Sequence, residues 1–348
     1  MLVRSETLRF FLSFCLACLV TLPSTDARSQ MSAGTQELIA KNLVDIGGGR
    51  RLNMVCTGSG SPTLVFDTGL GGNILNWQKV QVPASQITRA CFYDRAGYGY
   101  SDPTPDSMTA DNITNDLHAL LQHAGVSGPV VLVAVSIAGT YATLYTDKFP
   151  SQVAGLVLIE PTSADYGKGW YSAEQLSLAK ANDEQGRAHQ RACADLARAG
   201  KLTAAEPHDC FAFAKGRTPA EIAYLTEVFT KPFRYEALLN EIQSTESFTD
   251  QSDEDSLEEK RVAASFGDRP VVVLTRSNFP PEPNATPADM KKRQDGWKAG
   301  HDRLAARSTR GESIVVPNSG HFIMVDQPDA VVDAIRKVVM EVRQSGVK

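Results

Sequence analysis

The sequence lacks the patterns that bind nucleic acids, phosphate or zinc. The formal net charge is −5 and no basic run occurs, so we expect no nucleic-acid partner. The glycine-rich loop at 67–72 lacks the Gly-Lys-Ser/Thr end of a P-loop and does not match Gly-x-Gly-x-x-Gly. The four cysteines beyond residue 30 have no Cys-x-x-Cys spacing. The sequence therefore predicts neither a metal nor a cofactor.

Length and composition are those of an ordinary globular protein. The chain has 348 residues, of which 42% are hydrophobic and 22% are charged. It contains no internal repeats. A chain of this size can bury a large core in one or two domains.

The N-terminal segment has the pattern of a secretory signal. Arg4 and Arg9 precede an apolar run over 10–22, and small residues follow at 25–27. The run is too short to predict a membrane span. We therefore expect residues 1–27 to be a signal peptide and the mature protein to be periplasmic or secreted, without a stable membrane span.

The rest of the chain alternates between strand and helix patterns, apart from one long helical stretch. Residues 163–264 have helical periodicity, many charges and no convincing strand. Alternation predicts an α/β fold with a mostly parallel sheet flanked by helices. We expect the core to comprise 40–162 and 265–348, with 163–264 inserted as a helical cap. The predicted buried strands are 63–66, 90–93, 130–134, 155–159, 270–275 and 314–316.

A serine follows the predicted strand at 130–134. The positions two residues either side of Ser136 are Ala134 and Ala138, and a helical pattern then extends over 140–148. A strand, a tight turn carrying a serine and a helix form the nucleophile elbow of some hydrolases, in which flanking residues must be small. This stretch alone is compatible with a catalytic serine and with a structural one.

Four motifs together resemble the α/β-hydrolase family across nearly all of the chain after the signal. They are, in chain order, Thr68-Gly69-Leu70-Gly71, Tyr93-Asp94-Arg95-Ala96-Gly97-Tyr98-Gly99, the turn at Ser136, and Ser319-Gly320-His321-Phe322. The resemblance implies the α/β-hydrolase fold. It also implies a serine hydrolase, although a noncatalytic binding protein can keep the same fold.

The resemblance implies a role for each matching residue. Ser136 would be the nucleophile and His321 the base that removes its proton. The backbone N–H groups of Leu70 and Ile137 would form the oxyanion hole. The alternative for His321 is a structural histidine bonded to nearby backbone.

The acidic member of the triad has two candidate positions. The commonest family position follows the strand at 270–275, but no carboxylate occurs there before Glu282. Glu160 stands at the end of the preceding strand, where some family members place the acid. We expect Glu160 to be the acid; the alternative is a charge that caps the following turn.

This site predicts hydrolysis of an acyl bond. A carboxylic ester of a small or medium apolar molecule is the expected substrate, and the predicted cap would bound its pocket. A C–C bond beside a ketone, a lactone and an amide remain alternatives because the same triad cleaves them. A serine at position 136 argues against dehalogenases and epoxide hydrolases of this fold, which use an aspartate.

Four cysteines remain after the signal, and an oxidising compartment favours disulfides. In the fold that the chain resembles, the strands carrying Cys56 and Cys91 are neighbours, which implies a disulfide between them. Cys193 and Cys210 lie close in sequence within the predicted cap, and we expect them to form the second bridge. The alternative is buried free thiols.

Overall fold

A computed structural model describes residues 34–162, 172–245, 254–261, 265–281 and 285–346. The predicted signal peptide at 1–27 and the alternative acid Glu282 lie outside the described residues. Parts of the predicted cap also lie outside them. Within the described part of the chain, no helix is both long and apolar enough to cross a membrane.

One sheet of eight strands forms the centre of the fold, in the order β1-β2-β4-β3-β5-β6-β7-β8. Strand β2 is antiparallel to both of its neighbours, β1 and β4. All the other neighbouring pairs in the sheet are parallel. The mostly parallel sheet expected from the sequence is therefore confirmed. The strands are β1 (Leu43–Asp45), β2 (Arg51–Thr57), β3 (Thr63–Asp67), β4 (Ala90–Tyr93), β5 (Val130–Val135), β6 (Val153–Ile159), β7 (Gly267–Arg276) and β8 (Ser308–Val316).

Helices cover both faces of this sheet and form the segment between β6 and β7. Four helices, α4 to α7, lie in that segment, and its described residues contain no strand. The helices are α1 (Gln81–Ile87), α2 (Ala110–His123), α3 (Ala138–Lys148), α4 (Ala173–Arg198), α5 (Pro219–Phe229), α6 (Pro232–Ser244), α7 (Glu254–Lys260), α8 (Pro287–Ala305), α9 (Ile323–Asp326) and α10 (Pro328–Gln344).

Parallel pairing brings the candidate site residues to one edge of the sheet. All residues of β5 and β6 are buried, because helices pack on both faces of these central strands. Ser136 follows β5, Glu160 follows β6, and His321 lies in the loop after β8. The carboxyl ends of parallel strands lie at the same edge, so these three residues, distant in sequence, lie along that edge. Among the described residues, a hydrogen bond joins His321 to Glu160, and none joins His321 to Ser136.

The last strand is longer than the sequence suggested. We expected a strand at 314–316, whereas β8 begins at Ser308 and pairs with β7 along most of its length. β8 is the edge strand of the sheet, with one neighbour, and its residues are mostly partly exposed. An edge strand needs no continuous apolar run. The polar first half of β8 was therefore not predicted to be a strand.

Two disulfides link the chain. Cys56 and Cys91 are directly opposite each other in the antiparallel pairing of β2 with β4, and a disulfide joins them. A second disulfide joins Cys193 on α4 to Cys210 in the following loop. These are the two pairings expected from the sequence.

Candidate active site

Ser136 occupies a strained turn between β5 and α3. Its φ is +59°, a left-handed conformation that costs a non-glycine residue about 1–2 kcal/mol. The turn is held because the Ser136 amide donates to Ile159 O at 3.0 Å. A Cβ at Gly139 would lie 2.4 Å from Pro161 Cβ, so the first turn of α3 requires glycine there. The chain thus presents a serine at a rigid, crowded turn.

The glycine-rich loop after β3 lies directly against this serine. A Cβ added at Gly69 would lie 3.2 Å from Ser136 Cβ and 3.7 Å from Ser136 Oγ. Among the residues that the structure describes, no acceptor is bonded to the amide of Leu70 or Ile137. Within the described ranges, two backbone donors without acceptors therefore occur on the two segments that meet at the serine.

His321 lies in a loop whose backbone is fixed on both sides. The amide of Gly320 donates to Asp326 Oδ2 at 2.8 Å, and Ser319 Oγ donates to Val316 O at 2.7 Å. The amide of Asn278, after β7, donates to Ser319 O at 2.8 Å. The His321 side chain is 31% exposed, so solvent or a substrate can reach it.

Glu160 carries a fully buried carboxylate that is surrounded by hydrogen-bond donors. Its Oε1 accepts from the Arg276 amide at 2.6 Å and from Trp297 Nε1 at 3.0 Å. Its Oε2 lies 3.4 Å from His321 Nδ1 and 3.2 Å from Arg276 Nε. A buried carboxylate needs this compensation, and one oxygen remains directed at the imidazole. The last residue of β7 and a tryptophan of α8 thus supply the donors to Glu160.

His301 supports the residue next to Glu160, a contact that the sequence did not suggest. Its Nε2 lies 3.0 Å from Pro161 O and its Nδ1 lies 2.6 Å from Thr275 Oγ1. Burial lowers the pKa of His301 to about 4, so the ring is neutral at pH 7. Because a carbonyl only accepts, Nε2 carries the proton and the Thr275 hydroxyl donates to Nδ1.

The spacing of Trp297 and His301 in the sequence indicates that both side chains lie on the same face of a helix. The two residues are four positions apart on α8, and their rings lie 4.8 Å apart. Side chains four positions apart share one face of a helix. Two large rings on a mostly charged helix mark the face that packs on the sheet, although not their partners.

A cavity of about 440 Å³ opens beside the Gly69 loop. Its lining includes the glycine-rich loop at 69–72, apolar side chains of α5 and residues just after His321. A space of this size, with both apolar and polar side chains in its lining, suits a small or medium organic molecule. The lining residues that matter here are Gly69, Leu70, Leu225, Phe229, Phe322 and Met324.

One group of possible metal ligands exists among the described residues. His189, Cys193 and Cys210 offer ligand atoms within 4.8 Å of one another. The two cysteines form a disulfide with each other, so neither is a thiolate that binds a metal.

Solved structures with the same fold include enzymes of different chemistry. An esterase from Thermogutta terrifontis is 19% identical, with a TM-score of 0.56, over 87% of this chain and 99% of that one. The haloalkane dehalogenase DatA from Agrobacterium tumefaciens C58 is 18% identical, with a TM-score of 0.60, over 87% of this chain and 97% of that one. Likeness at this identity shows the fold alone.

Sequence comparison gives a family. The uncharacterized protein YbdG of Bacillus subtilis is 27% identical over 151 residues, which are 42% of this chain and 46% of that protein. The match spans about half the length of YbdG and of YqjL, another uncharacterized Bacillus subtilis relative. The model of the alpha/beta hydrolase family matches residues 64–334, from β3 into α10. The chain therefore belongs to the alpha/beta hydrolase family.

Proposed function

We propose that this hydrolase cleaves a carboxylic ester with Ser136 as nucleophile, His321 as base and Glu160 as acid. The observation that carries the proposal is the buried Glu160 carboxylate, with one oxygen held by two N–H groups and the other 3.4 Å from His321 Nδ1. A carboxylate so placed fixes the histidine tautomer with Nδ1 protonated and Nε2 free to accept a proton. A hydrogen bond from Ser136 Oγ to His321 Nε2 is a requirement of this proposal.

The reaction proceeds in two balanced steps. Ser136 Oγ attacks the acyl carbon while His321 takes its proton, and the imidazolium then protonates the departing alcohol. Water, deprotonated by His321, then attacks the acyl carbon; the bond to Ser136 Oγ breaks, the imidazolium returns the proton to Oγ, and the acid leaves. In both steps the negative charge develops on the former carbonyl oxygen. The amides of Leu70 and Ile137 would donate to that oxygen, which supports the assignment because neither has another acceptor among the described residues.

The proposed substrate class rests on the cavity beside the loop at 69–72, which is lined by Gly69 and Phe322 but not by Ser136 or His321. A volume of about 440 Å³ accommodates a small or medium molecule, and Leu225 and Phe229 give it an apolar wall. Both residues belong to α5, so we propose residues 163–264 as a cap that shapes this pocket. Replacing the cap should change the preference among esters of different chain length more than the reactivity of Ser136. An unchanged preference would make the segment merely structural.

We also propose that the mature protein is exported from the cytoplasm. Two disulfides agree with a periplasmic or secreted protein, as the predicted signal at 1–27 implies.

Mutation of the proposed triad tests the assignment. Ser136→Ala and His321→Ala should each lower kcat for a chromogenic short-chain ester by about 10³-fold or more, and the double variant should be little worse. The losses are non-additive because neither residue acts without the other. Multiplicative losses, or full activity in Ser136→Ala, would refute the triad.

Glu160→Gln tests the acid separately. The substitution should lower kcat severely while leaving the fold intact, because an amide no longer stabilises the imidazolium. Glu282→Gln is the matched control and should change kcat little. The opposite ranking would assign the acid to the later loop.

A panel of purified substrates separates the proposal from its alternatives. Esters, lactones, amides and diketones offered to the mature protein would identify the bond that is cleaved. Burst release of the chromophore from an ester would distinguish an acyl-enzyme from mere binding. Hydrolysis of none of these compounds, together with tight binding of one, would favour a noncatalytic binding protein.

A further inference from the structure

Two glycine-containing loops lie side by side: the loop at 69–72 after β3, here called the oxyanion loop, and the loop at 95–99 after β4. Arg95, in the second loop, holds the oxyanion loop by hydrogen bonds. Arg95 Nη1 donates to Thr68 O at 2.6 Å and Nη2 donates to Gly69 O at 2.9 Å. The carbonyl of Gly69 and the amide of Leu70 belong to one planar peptide unit, so they point in opposite directions. The Gly72 amide also donates to Gly69 O, at 3.1 Å, so Arg95 is one of two donors that set the direction of the Leu70 N–H.

Arg95 is in turn held by a carboxylate from the segment inserted between β6 and β7. Glu241, on α6, accepts from Arg95 Nη2 at 2.7 Å, and its side chain is completely buried. It also accepts from the hydroxyls of Tyr98 at 2.5 Å and Tyr141 at 2.9 Å. Burial raises the pKa of both tyrosines well above the usual phenol value, so both hydroxyls stay protonated and donate.

The packing of α6 brings it against both glycine loops. A Cβ at Gly97 would lie 2.5 Å from Ala237 Cβ, and a Cβ at Gly71 would lie 3.1 Å from Leu238 Cδ1. Arg234, at the start of the same helix, donates to Gly71 O at 3.0 Å. Helix α6 therefore packs against the oxyanion loop. It also binds that loop by hydrogen bonds, directly from Arg234 and indirectly through Arg95.

We propose that Glu241 is a positioning residue that, acting through Arg95, keeps the Gly69–Leu70 peptide in the orientation that the oxyanion hole requires. The inference rests on the proposed function, because it assigns the Leu70 amide to that hole. Asp67 also holds Arg95, at 2.6 Å from Nη1, but Nη2, which binds the Gly69 oxygen, is shared with Glu241. Without Glu241, the guanidinium is free to turn towards Asp67, and the Gly69 oxygen keeps only the hydrogen bond that the Gly72 amide donates to it at 3.1 Å.

The test compares hydrolysis of an ester with that of the matching thionoester. Sulfur accepts hydrogen bonds poorly, so an intact oxyanion hole favours the ester, and a disordered hole loses that preference. Glu241→Gln should lower kcat for the ester between about 10- and 100-fold at nearly constant KM. The ester-to-thionoester ratio should fall by the same factor. A merely structural role would lower both rates together and leave the ratio unchanged.

Two further variants keep the test decisive. Glu236→Gln is the control, because Glu236 lies on the same helix but is half-exposed and pairs with Arg198; its ratio should equal that of the wild type. Glu241→Asp keeps the buried charge but withdraws it from Arg95. This variant replaces Glu241→Gln in the test if Glu241→Gln does not fold, and its ester-to-thionoester ratio should also fall. An unchanged ratio in whichever folded variant is measured overturns the proposal.

The outcome also separates this inference from the proposed function. If a fluorophosphonate labels Ser136 in the wild type and the ratio in the Glu241 variant is unchanged, only the role of Glu241 is refuted. If wild-type Ser136 is not labelled, the proposed function fails and this inference fails with it.

Discussion

Acidification below pH 6.5 should destabilise the fold through His301. The pKa of this buried histidine is about 4 in the folded chain against 6.5 for a free side chain. Between these two values the unfolded chain binds the proton and the folded chain does not, so stability is full above pH 6.5 and falls as the pH falls. The contribution is about 2 kcal/mol lost at pH 5 and about 3 kcal/mol below pH 4.

Urea unfolding at pH 7 and pH 5 measures this loss. His301→Gln keeps an amide that can donate to Pro161 O but does not titrate, so its stability should fall less between the two pH values. The difference between wild type and variant should be about 2 kcal/mol. His123→Gln, at an exposed position of α2, should retain the full wild-type pH dependence. Equal pH dependence in wild type and His301→Gln would refute a neutral, buried His301.

Two further predictions concern stability. Gly139→Ala should destabilise the protein by about 1–3 kcal/mol, because the new methyl would lie 2.4 Å from Pro161 Cβ. Gly186→Ala on α4, where the described residues place no atom outside the local helix backbone within 4 Å of the new Cβ, should instead be neutral or stabilising. Equal effects in urea unfolding would contradict the crowding. Replacing Cys193 and Cys210 together by serine should cost about 3 kcal/mol; nonreducing peptide mapping checks the bridge, and unchanged stability would count against it.

The fold was predictable where local pattern and burial agree. Val130 to Ala134 is continuously apolar because β5 is buried on both faces, and the helix after it begins at the small residues around Ser136. The first half of β8 was not predictable for the converse reason. Its residues from Ser308 to Ser313 are mostly polar, since an edge strand is stabilised by backbone pairing with β7 and not by burial.

The positions of the candidate site residues were predictable as far as the motifs extend. Ser136, His321 and Glu160 each follow a strand, a relation visible in the sequence, whereas the donors that hold Glu160 lie more than a hundred positions away. Arg95 and Glu241 are 146 residues apart and belong to different layers. No local periodicity records such a pairing, because it depends on how α6 packs against the loops.

Labelling with a fluorophosphonate followed by peptide mapping tests the central claim most directly. The reagent reacts with a serine only where a base activates it and an oxyanion hole stabilises the product. We expect stoichiometric modification of Ser136 in the mature protein, loss of ester hydrolysis in step with it, and a labelling rate strongly reduced in His321→Ala. Modification of another serine, or ester hydrolysis that persists after Ser136 is modified, would contradict the account.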